Sequence, residues 1–86
     1  MYKKSYKKPT GKGKHTVLVL NDAVNTFQHV RKSLQESCGH NYYQSIQCTN
    51  IIHNVGKCEV YTDIYKQCLE VYIELQEKGL TVTLVK

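Results

Sequence analysis

The sequence predicts a small α/β fold: a two-layer sandwich in the order β-α-α-β-α-β, its three-stranded sheet packed against helices. Three observations carry this expectation. The run Val17-Leu18-Val19-Leu20 is short, aliphatic and bounded by polar residues, which reads as a buried strand. Three later stretches repeat apolar residues at intervals of three and four, the period of a helix with one buried face. The last residues, Leu80–Val85, alternate Leu, Thr, Val, Thr, Leu, the period of a strand with one apolar face.

The elements follow in chain order. Strand one runs over Thr16–Leu20. The pattern Asn25-x-x-Gln28 reads as a capping box that opens the first helix, whose inner face is Phe27, Val30, Leu34 and Cys38. Gly39 ends it, since glycine readily takes the left-handed conformation at a helix C-terminus. Asn41-x-x-Gln44 repeats the box and opens a second helix to about Asn54, with Ile46, Thr49, Ile52 and His53 turned inward and Gly56 as its stop. Cys58–Tyr61 is a short second strand. Thr62 or Asp63 then caps a third helix, with Ile64, Cys68, Val71, Tyr72 and Leu75 on its face and Gly79 at its end. No internal repeat is visible.

Composition narrows the function. The chain has 86 residues, enough for one domain. No run of apolar residues is long enough to span a bilayer, and no apolar segment follows the charged N-terminus as a secretory signal requires. These features predict a cytoplasmic protein. The net charge of +5 is unevenly placed. Six lysines (Lys3, Lys4, Lys7, Lys8, Lys12, Lys14) lie in residues 1–14, which read as a flexible basic tail too poor in apolar residues to fold. The remaining residues, 15–86, hold the other six bases and all seven acids, so the body is close to neutral. A basic pI by itself would favour nucleic acid. Here the charge is confined to the tail, and the seven tyrosines show no interleaved basic stripe on the body. Cys38, Cys48, Cys58 and Cys68 recur every ten residues but form no Cys-x-x-Cys pair and fall on different elements. They are read as reduced thiols packed as small apolar groups, with no metal or cofactor expected.

No catalytic pattern stands out: there is no glycine-rich phosphate loop, and no nucleophile has a base nearby in sequence. The informative residues are Asn21 and Asp22, placed where strand one turns toward a helix, together with the distant His53. An amide, a carboxylate and an imidazole that met in space would hold one small cation. Taken alone, Asn21-Asp22 reads first as ordinary turn chemistry, and His53 as a histidine satisfied near a helix end.

The stretch VLVLNDAVNTFQHV, followed by a helix, IIHNVGKCEVYT, a further helix and a final strand, resembles the ClpS family over about residues 15–86. Its Asn-Thr-Phe and cysteine details are similar to the short forms of Bacteroidota-like bacteria. That family comprises adaptors that deliver N-degron substrates to Clp-type AAA+ unfoldases. The resemblance implies that Asn21, Asp22 and His53 hold the free α-amino group of a substrate's first residue. It also implies that Asn25, Thr26, Phe27, Val30, Thr49, Ile52 and Leu80 form a pit for a Phe, Tyr, Trp or Leu side chain. The basic tail and the body would engage the unfoldase.

Three departures from the family pattern bear on function. Ala23 stands where a second acid is usual, Thr49 where Met is frequent, and the segment between His53 and Cys58 is short. The small Thr49 predicts a roomier pit that favours aromatic side chains over Leu. The competing reading is a ribosome- or nucleic-acid-associated basic module, prompted by the tail and by an element order like that of a ribosomal stalk domain. A small hydrolase built on Asp22 and His53 ranks third.

Overall fold

A computed structural model describes residues 14–86. The expected basic tail lies outside the described residues, Lys14 excepted. The elements are β1 (His15–Leu20), α1 (Phe27–Cys38), α2 (Tyr42–Val55), β2 (Lys57–Asp63), α3 (Tyr65–Glu77) and β3 (Thr81–Val85). They form a three-stranded antiparallel sheet in the order β2-β1-β3. The predicted β-α-α-β-α-β order and the sheet are both present.

β1 is the central strand because it is the most completely apolar. Val17 and Val19 point into the core, while Leu18 and Leu20 on the other face are half-buried. The core closes over them with Val30 and Leu34 of α1, Ile52 of α2, Val71 and Leu75 of α3, and Leu80. Each fully buried aliphatic side chain stabilises the fold by about 1.5–3 kcal/mol, so this cluster is the main anchor of a small domain.

Strand β2 is longer than the sequence suggested and contains a bulge. Val17 pairs with Tyr61 and Leu18 with Glu59, leaving Val60 as the extra residue. The bulge puts both Val60 and Tyr61 in the core, which breaks the period-two pattern that bounds a strand in sequence.

Three local expectations are corrected. Thr26, not Asn25, caps α1: its hydroxyl accepts from the His29 N–H at 3.1 Å. Asn25 is displaced from that role because its amide is held elsewhere, by Asp22 and Gly79. The cap of α3 is Ile64, with no side-chain hydrogen bond, while Thr62 and Asp63 belong to β2 and Asp63 is fully buried. On α2, Ser45, Thr49 and Ile52 are the buried residues, whereas Ile46 is half-buried and His53 exposed. The Asn41/Gln44 capping box is present in full, with both reciprocal hydrogen bonds made.

The candidate site: a hollow between the β1–α1 turn and the end of α2

The turn after β1 is organised around one carboxylate. Asp22 Oδ1 accepts from the backbone N–H groups of Val24 and Asn25, each at 2.9 Å. Its Oδ2 accepts from Asn25 Nδ2 and from Thr81 Oγ1, each at 2.8 Å. The Asn25 amide also donates to the Gly79 carbonyl at 2.9 Å. The turn is thereby tied to the α3–β3 junction, far along the chain. The Asn25 backbone N–H, seconded by Thr81, the Asn25 side chain and the Val24 N–H, holds the Asp22 carboxyl well below the usual carboxylate range. Asp22 is therefore a fixed negative charge at neutral pH, and its roughly four lone-pair directions are all in use.

The opposite wall comes from the end of α2. Gly56 terminates that helix with φ at 110°, a conformation that favours glycine, and its N–H returns to the Ile51 and Ile52 carbonyls. The Gly56 carbonyl accepts from the Asn21 N–H at 2.9 Å. This bond draws the β1 exit against the last turn of α2, where His53 sits. The His53 ring stands edge-on to Phe27, with centroids 5.7 Å apart and planes at 80°.

Between these walls is a small hollow, open to solvent on one side. It is lined by Asn21, Asp22, Asn25, Val30, Ile52, His53 and Leu80, together with Val19 and Leu20. Asn21, at the end of β1, and His53, more than thirty residues later on α2, thus face one space. Val30, Ile52 and Leu80 are buried and give it an apolar floor. The polar groups and the floor adjoin, so the hollow offers acceptors and a fixed negative charge beside a surface that water leaves readily.

Three residues named from the sequence do not line it. Thr26 spends its hydroxyl on the α1 cap. Phe27 is half-buried beside His53. Thr49 is fully buried, donating to the Ser45 carbonyl at 2.6 Å, so its small size does not widen the hollow. Conversely, Gly56, Gly79 and Thr81 support the site without having been singled out for it. Gly56 was legible only as a helix stop, and nothing around Thr81 signals a partner 59 positions upstream. Among the described residues, no three metal-ligating side chains come together and no helix is long and apolar enough to cross a membrane.

The family model described as ATP-dependent Clp protease adaptor protein ClpS matches residues 11–83. The chain belongs to the ClpS family, whose members are adaptors of the Clp protease and not proteases themselves; membership implies partnership with its AAA+ subunit. No curated protein matches the sequence.

Proposed function

We propose that the protein is an N-degron adaptor: the hollow binds the free α-amino group and the bulky hydrophobic side chain of a substrate's first residue, and the protein hands that chain to a Clp AAA+ unfoldase. The observation that carries this reading is the convergence of Asn21, Asp22 and His53 on one hollow with an apolar floor.

The chemistry divides between the two halves of the hollow. An α-ammonium carries three donors and needs acceptors turned toward it. Asn21 Oδ1 and a His53 ring nitrogen serve as the acceptors. Asp22, whose oxygens are committed to the turn, contributes its charge and fixes the turn that follows Asn21. Ala23 brings no second charge, so the whole electrostatic complement to the ammonium comes from Asp22. Hydrogen bonds to a charged group contribute roughly 1.5–3 kcal/mol each, enough to reject a blocked N-terminus. Seating a Phe or Leu side chain over Val30, Ile52 and Leu80 adds about 2–3 kcal/mol. The adaptor acts where the unfoldase does, in the cytoplasm.

Fluorescence anisotropy with a Phe-first peptide beside its N-acetylated twin tests this reading. The expected result is at least tenfold tighter binding of the free amine, with His53→Ala and Asn21→Ala each reducing the difference. Equal affinity of the two peptides would overturn it. Salt separates the adaptor from a nucleic-acid module: phosphate contacts weaken steeply between low and moderate salt, whereas a peptide in an apolar hollow changes little.

A further inference from the structure

Away from the hollow, His40, Cys48 and Cys58 form a second cluster. Cys48 lies on α2 and Cys58 near the start of β2, both half-buried. The Cys58 S–H donates to Cys48 Sγ across 2.9 Å, so the two sulfurs already touch. His40, in the α1–α2 loop, donates from Nε2 to the Val60 carbonyl at 2.8 Å, while its buried Nδ1 has no hydrogen-bond partner. A carbonyl can only accept, so Nε2 carries a proton, and in the neutral ring Nδ1 is then the nitrogen that can accept one.

The four cysteines are not equivalent. Cys38 and Cys68 are buried in the core, and burial pushes both thiols up. Burial also opposes ionisation of Cys48, but the neighbouring His40 ring and the Cys58 S–H outweigh it and draw this thiol down. Cys58, half-buried and beside Cys48, is pushed up to about 12 by desolvation and by its neighbour. The cluster therefore pairs one thiol poised to attack with one that stays protonated until a base relieves it, the division of labour of a dithiol exchange site. Nothing in the binding of a chain terminus uses it.

We propose that Cys48 and Cys58 form a redox site that undergoes thiol–disulfide exchange with low-molecular-weight disulfides, and that the resulting bridge staples the segment carrying Ile52, His53 and Gly56. In the first step the Cys48 proton passes to His40 and the thiolate attacks one sulfur of oxidised glutathione. That S–S bond breaks, and one glutathione leaves, taking the proton from His40 to become a thiol. His40 then accepts the Cys58 proton. The Cys58 thiolate attacks Cys48 Sγ in the mixed disulfide and displaces the second glutathione as its thiol. Two protein thiols are oxidised to one disulfide, and one glutathione disulfide is reduced to two thiols. The bridge closes a ring over residues 48–58, which contains the two α2 residues that line the hollow and the carbonyl that holds Asn21.

The test treats the full reduced chain with excess oxidised glutathione, quenches by alkylation and maps the products by mass spectrometry. A Cys48–Cys58 bridge is expected, with Cys38 and Cys68 alkylated only after denaturation. Cys58→Ser should trap one glutathione on Cys48, and Cys48→Ser should react at least tenfold more slowly, with Cys→Ala variants replacing any serine variant that folds poorly. A bridge that includes Cys38 or Cys68, no bridge at all, or a Cys48→Ser variant that reacts as fast as the parent would overturn the site. Amide exchange across residues 51–57 should slow at least threefold on oxidation, and unchanged exchange would overturn the stapling. Neither readout depends on peptide binding.

Discussion

Asp22 Oδ2 accepts a 2.8 Å hydrogen bond from Thr81 Oγ1, joining the turn after the first strand to the first residue of the last. The contact fixes one wall of the hollow to the far end of the chain. It also changes what Asp22 does. A carboxylate that looked available to a ligand amine is saturated by the protein, and it acts through its charge and through the turn it organises.

Replacing Asp22 should therefore destabilise the fold as well as weaken binding. Asp22→Ala removes the acceptor for four hydrogen bonds at a partly exposed position, where solvent discounts each of them. The expected loss is about 1–2 kcal/mol, or a fall in melting temperature of roughly 5–15 °C for a domain of this size. Calorimetry that finds the two proteins equally stable would remove Asp22 from this role.

Acid should expose the same interaction. The folded Asp22 pKa is depressed, so the group contributes stability that is complete above the unfolded value of about 3.9 and is lost as pH falls toward the folded one. The difference in melting temperature between the parent and Asp22→Asn should be constant above about pH 5 and shrink steadily below about pH 4. A difference that grows in acid has the wrong sign for this account.

Gly56 offers a test that adds no steric clash. A Cβ built there meets nothing within 4 Å, yet φ at 110° strains any other residue. Gly56→Ala should cost about 1–3 kcal/mol. Because the Gly56 carbonyl holds the Asn21 N–H, it should also weaken binding of a Phe-first peptide more than a core substitution of equal thermal cost, such as Val71→Ala. Equal effects on peptide affinity would separate Gly56 from the site.

Deleting residues 1–14 tests how work is shared between tail and body. Peptide affinity should be unchanged, and delivery of an N-degron substrate to the unfoldase–protease, followed as degradation, should be lost. Parallel loss of both would contradict that division.

Much of this protein is determined locally. The apolar run of β1, the helical periods, the Asn41/Gln44 box and the glycine stops set the order and type of every element, because propensity, capping and periodicity act within a few residues. Asn21, Asp22 and His53 were legible as polar groups at element ends, and the run around them carried the family resemblance. What the tertiary structure alone decided is which groups meet and which are already spoken for. Asn25 lost its capping role to Thr26 because Gly79 and Asp22 hold its amide. Thr49 left the hollow for the core, and Asp22 was saturated by Thr81. Cys48 met Cys58 only once α2 packed on β2. Each outcome depends on partners distant in sequence, and a linear pattern holds no record of them until hydrophobic burial has folded the chain.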